Sequence, residues 1–185
     1  MFAALIGFLI LQRVFELALG ERNRRWSLAH GGTEVEIAQH AIFLVVHVLF
    51  FVCLILEWNY RSRGWNSAWP LWLALFLASQ LVRVWTIRSL GPFWNTRIIV
   101  IPGMKPVTCG PYRYIRHPNY LIVVVEMAVI PVLCRAYFTA AVFSAANAFL
   151  LALRIRQEEL ALERASGSPL PTLPRFLPRF KRRSE

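Results

Sequence analysis

Eleven residues, Gly110-Pro111-Tyr112-Arg113-Tyr114-Ile115-Arg116-His117-Pro118-Asn119-Tyr120, gather three tyrosines, two arginines and a histidine immediately before an apolar run. A second group, Arg154-Ile155-Arg156-Gln157-Glu158-Glu159-Leu160-Ala161-Leu162, follows the last apolar run. Polar groups at the edge of a membrane helix cost free energy, and a ligand or a partner usually holds them there. Glu158 can counter an ammonium, and His117 or Arg116 can donate to a carboxylate. Tyr112 and Tyr120 offer π faces to a cation, each contact worth about 0.5–2 kcal/mol. On a helix, Arg154 and Glu158 stand at i,i+4 and share a face. Together these residues point to a small charged ligand bound where the membrane meets water.

The elements that must position them are membrane helices. The chain is 57% hydrophobic and 17% charged, with a mean hydropathy of +0.47, which excludes an ordinary soluble domain. Its length of 185 residues suits one domain, with a catalytic half over about 88–165 and a basic tail over 166–185. The net charge of +11 is not a nucleic-acid signature, because zinc-finger spacing, a ribonucleoprotein aromatic motif and a basic helix free of the membrane are all missing. It reads instead as a topology signal and an attraction to anionic lipid. Three cysteines, Cys53, Cys109 and Cys134, form no CxxC and indicate neither a zinc site nor a thioredoxin-like motif.

Five apolar runs, about 2–19, 41–58, 69–87, 120–134 and 137–153, predict an all-α integral membrane fold of about five transmembrane helices, with a cytoplasmic cofactor-binding loop and a C-terminal helix. The first run lacks a basic leader and carries Gln12, Arg13 and Glu16, so it reads as a retained helix rather than a signal peptide. The fourth is short enough to tilt, to thin the bilayer or to form half of a re-entrant hairpin. In each case runs four and five return the chain to the side it left, which puts both polar groups on one face of the membrane. Sixteen of the twenty-one Lys and Arg fall in the first, third and C-terminal polar segments, and three (Arg61, Arg63, Arg135) fall in the two intervening loops. That bias sets the polar groups in the cytoplasm and the N-terminus outside.

Ile98-Ile99-Val100-Ile101-Pro102-Gly103 reads as a short extended segment ending in a turn. Pro106, Gly110, Pro111 and Pro118 then exclude a long helix. A thirty-residue non-helical loop beside a membrane is tolerable if it is buried in protein or faces water, and such a loop can wrap a nucleotide-like ligand. The tail, with Pro169, Pro171, Pro174 and Pro178, has two readings: a basic aromatic strip on the headgroups, or a cover over the site.

At this point the chain resembles a family. RHPNY after GPYRY, followed by a hairpin and R-x3-EExxL, is similar to the isoprenylcysteine carboxyl methyltransferase family of integral membrane enzymes. The resemblance is specific over 104–120 and 154–162. Gln12-Arg13 through Glu16, Arg22-Asn23, Gly32-x-Glu34 and His40 to His47 to Glu57 resemble its bacterial branch, which is linked to type III polyketide synthases and methylates alkylpyrone or alkylresorcinol hydroxyls. The resemblance implies S-adenosylmethionine as methyl donor, contacted by Met104, Lys105, Pro106, Val107, Tyr112, His117, Pro118, Asn119, Tyr120 and Glu158, with Arg154 facing the substrate. It also implies a lipophilic acceptor, either the carboxylate of a prenylated cysteine or the acidic hydroxyl of an alkylpyrone-like lipid. The family's usual FG-x2-Y-x2-Y after EExxL is replaced here by 165–174, while Arg175-Phe176-Leu177-Pro178 keeps the RF-x-P ending.

Methyl displacement from a sulfonium by oxygen needs close in-line alignment. An acceptor already anionic at neutral pH needs only Arg154 to place it, whereas a less acidic phenol needs a base, for which Glu126 is the candidate. Glu126 has a second reading as the partner of Arg83 or another cation. Arg13 and Glu16, at i,i+3, read as a structural pair. His40 and His47 share a face, with Glu36 one turn before His40, but HExxH is absent and no metal is expected. Two competing functions are a nicotinamide-dependent sterol-type reductase, whose members carry an RHPNY-like segment, and a non-enzymatic membrane protein.

Overall fold

The computed structural model describes residues 1–35, 37–61, 64–167, 169–171 and 173–176. Five helices form the body: α1 (Phe2–Ala29), α2 (Ile37–Tyr60), α3 (Trp69–Leu90), α4 (Pro118–Leu133) and α5 (Tyr137–Ser166). Four are long and apolar enough to cross a membrane, and α4 is a shorter apolar helix. At 1.5 Å per residue α4 is about 24 Å long, short of the roughly 30 Å hydrocarbon core. The helices bear exposed Leu44, Val48, Val52, Leu71, Leu75 and Phe149, side chains that lipid solvates. This is an all-α integral membrane fold.

Two helices outrun the expected segments. The first run and the Arg22–Arg25 stretch are one helix of 28 residues, and the fifth run continues through Arg154 and Glu158 as one helix of 30 residues. Each is about 42–45 Å long, so each extends past the hydrocarbon and carries non-helical chain on the projecting end. Gly167, in the left-handed region (φ 64), ends α5 by donating its N–H to the Glu163 carbonyl. The other end of α5 is capped by Glu57 of α2, whose carboxylate accepts the Phe138 N–H (3.1 Å), the Thr139 N–H (2.8 Å) and the Thr139 hydroxyl (2.8 Å). A carboxylate there satisfies free amides and the positive end of the helix dipole together.

The expected extended segment is β2 (Ile98–Val100), followed by a turn in which Met104 N–H donates to the Ile101 carbonyl. Its partner, β1 (Thr33–Val35), pairs antiparallel in the register Thr33↔Val100, Glu34↔Ile99 and Val35↔Ile98. Glu34 fastens this ribbon to α1 through Arg24 Nε (3.0 Å) and to the residue just before β2 through Arg97 Nη1 (2.5 Å). Partial burial alone would raise the Glu34 carboxyl, but Arg97 and Arg24 hold it below its ordinary range.

Within the bundle, the two ion pairs read from the sequence merge into one network. Arg13 donates to Glu16 (2.7 Å) and Glu126 (2.9 Å). Arg83 donates to Glu16 (2.8 Å) and, through Nε (3.2 Å) and Nη2, to Glu126. Gln12 and Gln80 supply one further bond to each carboxylate. Two positive and two negative charges cancel, so α1, α3 and α4 are joined without net charge in the low dielectric. The apolar core lies beyond this network, around Phe50, Leu54, Trp58, Met127, Ile130 and Phe143.

Candidate active site

The loop between α3 and α4 is placed by local chemistry. Asn23, buried in α1, donates to the Trp94 carbonyl at 2.7 Å and the Gly91 carbonyl at 3.2 Å. Gly20 admits the close approach of Thr96, since a Cβ there would lie 3.0 Å from its side chain. Gly110 has φ +57, and its Cβ would meet Ser89 Oγ at 2.0 Å, so the 3-10 turn Gly110–Arg113 can press against α3 only with glycine at this position. Pro118 then opens α4 at a position that needs no donor, setting Asn119 and Tyr120 on its first turn.

Two cavities meet at this point. The first, about 190 Å³, is lined by Met104, Lys105, Pro106, Val107, Tyr112, His117, Asn119, Tyr120 and Glu158. Of the ten residues implied as donor contacts, only Pro118 does not line it; Pro118 is buried as the start of α4. The second cavity, about 430 Å³, lies between α1 and α2 and reaches Arg154, Leu151 and Tyr120. Its rim is apolar and exposed at Ile10, Val14 and Leu17 on one side and at Leu44, Val48 and Val52 on the other. From His40 to Ile55 it follows α2 for about 22 Å. Trp94, Asn95, Asn119 and Tyr120 line both cavities and form the partition.

Tyr120 is the hinge of this partition. Its hydroxyl accepts Arg154 Nε at 2.9 Å and donates to Glu158 Oε2. Arg154 Nη2 also donates to the Thr96 carbonyl (2.7 Å), and its guanidinium lies 5.1 Å from the Phe43 ring centroid. The shared helix face of Arg154 and Glu158 is therefore split: Arg154 lines the apolar cavity and Glu158 the loop-side one. Burial, reinforced by the neighbouring Glu158, pushes the Tyr112 phenol above its ordinary range and keeps it a donor.

Glu159, a residue the sequence reading named only within EExxL, is a second hub. It accepts His117 Nε2 (3.1 Å), Arg116 Nη1 (3.0 Å) and Arg175 Nε (3.1 Å) and Nη2 (2.5 Å). The chain after α5 thereby folds back, with the Arg116 and His117 N–H groups donating to the Pro174 and Arg175 carbonyls. Leu170, Pro171 and Leu173 line the loop-side cavity. Of the two readings of the tail, the described residues take the covering one; Leu177, Pro178 and the rest of the tail lie outside the described residues.

Glu126 lines neither cavity and sits in the ion network, the pairing with Arg83 that was one of its two readings. His40 and His47 both line the apolar cavity. Glu36 lies outside the described residues, and among those described no group of three potential metal ligands occurs.

The donor set fits an adenosyl sulfonium amino acid. Trp94 Nε1, Asn95 Oδ1, Asn119 Oδ1 and Arg116 Nε are buried polar atoms without a hydrogen-bond partner, all on residues lining the loop-side cavity. Such orphans are costly in a folded protein, and amino, carboxylate and ribose groups are of the kinds that can pair with them. A sequence model of the isoprenylcysteine carboxyl methyltransferase family matches residues 72–164, a span that includes both polar segments. The chain belongs to the isoprenylcysteine carboxyl methyltransferase family. It is a membrane methyltransferase of that family, and this membership selects among the three functions the sequence left open. Methyltransferases of the family use S-adenosylmethionine. The chain is 40% identical over 166 residues to the "Uncharacterized protein YpbQ" of Bacillus subtilis, covering 90% of this chain and 99% of that protein. An "Uncharacterized protein" of Haemophilus influenzae is 26% identical over 81% of this chain and 88% of its own. No solved structure matches.

Proposed function

We propose that the protein transfers a methyl group from S-adenosylmethionine to an oxygen of a lipophilic acceptor. The observation that carries this reading is the partition: a polar cavity with Glu158 and an apolar, laterally open cavity with Arg154 share Tyr120, whose hydroxyl binds both charged residues. Glu158 counters the donor's ammonium, and Tyr112 and Tyr120 offer π faces. Both groups available for the donor carboxylate touch Glu159, His117 through Nε2 and Arg116 through Nη1, and the buried Arg116 Nε remains without a partner. Bound there, S-adenosylmethionine supplies an electrophilic methyl group.

Arg154 holds the acceptor's oxygen from the other side, as a planar charge-assisted donor fixed by Tyr120 and Thr96. The acceptor's chain lies along α2 and reaches its place from the bilayer between α1 and α2. An acidic enol such as a long-chain hydroxypyrone, or a prenylated carboxylate, meets these requirements. The Lys and Arg bias supports a cytoplasmic site, and the resemblance to the family's bacterial branch supports a bacterial-type inner membrane. Glu126 is assigned to the ion network rather than to proton transfer.

The test is transfer of labelled methyl from S-adenosylmethionine to long-chain hydroxypyrones and prenylated cysteines by the purified protein in lipid. Methylated product with either class supports the reading; binding of NADPH in place of S-adenosylmethionine contradicts it.

A further inference from the structure

His40 has a position that the donor and acceptor roles above do not use. It lines the apolar cavity together with Tyr120 and Arg154. It also lines a third, polar cavity of about 180 Å³ formed with Gly20, Glu21, Arg24, Thr96 and Arg97. His40, Leu17 and Thr96 are common to the two. Thr96, whose carbonyl oxygen accepts Arg154 Nη2 at 2.7 Å, stands with His40 on the wall of both cavities. A neutral imidazole carries one N–H and one proton-accepting nitrogen, so His40 can take a proton on the apolar side and release one on the polar side.

We infer that His40 is the general base of methyl transfer, taking the proton of an un-ionised acceptor hydroxyl and passing it to water in the polar cavity. This rests on the methyltransferase reading and deepens it, by admitting weakly acidic phenols beside acceptors that are already anionic. The step balances. The acceptor O–H proton goes to the unprotonated ring nitrogen of His40, and the oxygen lone pair forms the new O–CH3 bond. The S–CH3 bond breaks with its electron pair remaining on sulfur, and the imidazolium later releases its proton to the polar cavity. A base that borders both the acceptor's cavity and a polar route for the proton is the arrangement such transfers require.

The other titratable groups of the apolar cavity are occupied or remote. Glu16, Arg13 and Arg83 bond one another and Glu126. His47 donates Nδ1–H to the Phe43 carbonyl at 2.8 Å. It stands two turns from His40, about 10 Å further along α2, and does not line the polar cavity. The charged groups facing His40 are Arg97 and Glu34 from the β ribbon and its loop, Arg154 from α5, and Glu21 and Arg24 from α1. Glu21, paired with Arg24 and Arg25, is partly exposed to water on the wall of the polar cavity.

The experiment uses the full-length protein in lipid with His40→Gln, which keeps an acceptor oxygen but cannot carry the proton, and His40→Ala as a second variant. In donor-free protein, a nitrophenol with a long alkyl chain reports its own ionisation by phenolate absorbance. Wild-type protein should lower its apparent pKa by about one unit relative to both variants. With donor present, single-turnover transfer to a long-chain alkylresorcinol should fall roughly 10²-fold in both variants, while transfer to a hydroxypyrone of equal chain length stays within a few-fold. The acidic limb of the pH–rate profile for the resorcinol should disappear. Equal loss for both acceptors, no loss for the resorcinol, or a wild-type protein that methylates only the hydroxypyrone would each overturn the role of His40. A wild-type protein that binds no S-adenosylmethionine would instead defeat the methyltransferase reading itself.

Discussion

Arg154 and Glu158 bind one atom from two cavities. The Tyr120 hydroxyl accepts from Arg154 Nε at 2.9 Å and donates to Glu158 Oε2, although Arg154 lines the apolar cavity and Glu158 the loop-side one. One helical turn of α5 thus spans the partition, and the phenol fixes the distance between a site for an acceptor oxygen and a site for a cationic donor.

Removing that phenolic oxygen should uncouple the two. Tyr120→Phe keeps the ring and its π face, so donor affinity measured by titration calorimetry should stay within a few-fold. Single-turnover transfer should fall by roughly 10- to 100-fold, because Arg154 loses its alignment to the donor. A normal transfer rate would show that Thr96 alone suffices to hold Arg154.

The ion network should depend on its buried arginine more than on its partly exposed one. The Arg83 side chain is 4% exposed and that of Arg13 26%. Arg83→Leu leaves two carboxylates facing one guanidinium in the bundle and should cost about 3–5 kcal/mol, read as a large drop in thermal stability in detergent. Arg13→Leu should cost clearly less. The double variant Arg83→Leu/Glu126→Leu restores neutrality and should recover much of the loss; additive losses would mean that charge balance is not what holds the network.

A smaller, pH-dependent effect belongs to Glu34. Arg97 and Arg24 hold its carboxyl below the ordinary 4.5 despite partial burial, so the stability it contributes is present above pH 4.5 and fades as the pH falls further. Because both arginines are partly exposed, Glu34→Gln should cost only about 0.2–1 kcal/mol at pH 7. The gap between wild type and variant should narrow progressively below pH 4.5. A gap that widens in acid would contradict the pairing.

Topology has a reporter in the chain itself. Cys109 is exposed in the loop between α3 and α4. It should react with a membrane-impermeant maleimide only after permeabilisation, whereas a cysteine introduced at Ser62 in a Cys109→Ser background should react on intact cells. The reverse pattern would put the site on the outer face.

The loop-side cavity was the most legible part of the chain. Its residues are dense in sequence, with 104–107 and 112–120 supplying most of one wall, and the 3.6-residue period carried Arg154 and Glu158 to a common face. What the sequence did not reveal are contacts between distant single residues. Asn23 reaching Trp94, Glu34 bracing Arg97 and Glu57 capping α5 have no periodic signature, and β1 is three residues drawn into a ribbon by a partner 65 positions away. Glu159 was hidden beside Glu158 because adjacent helical carboxylates point in different directions, one to the ligand cavity and one to the clamp. The Glu57 cap had a faint trace, a carboxylate at the polar end of an otherwise apolar helix.

The most direct measurement pairs two variants in the same lipid, with donor affinity from calorimetry and single-turnover transfer of labelled methyl at saturating donor. Glu158→Gln should weaken S-adenosylmethionine binding by about 1.5–3 kcal/mol, roughly 10- to 150-fold. Arg154→Ala should leave that affinity within a few-fold and slow transfer to a long-chain hydroxypyrone by roughly 10²-fold or more. Arg154→Lys should recover only part of the rate, because a point charge does not reproduce the planar fork. Loss of donor affinity in Arg154→Ala with full affinity in Glu158→Gln, or near-normal transfer in Arg154→Ala, would contradict the division of donor and acceptor between the two cavities.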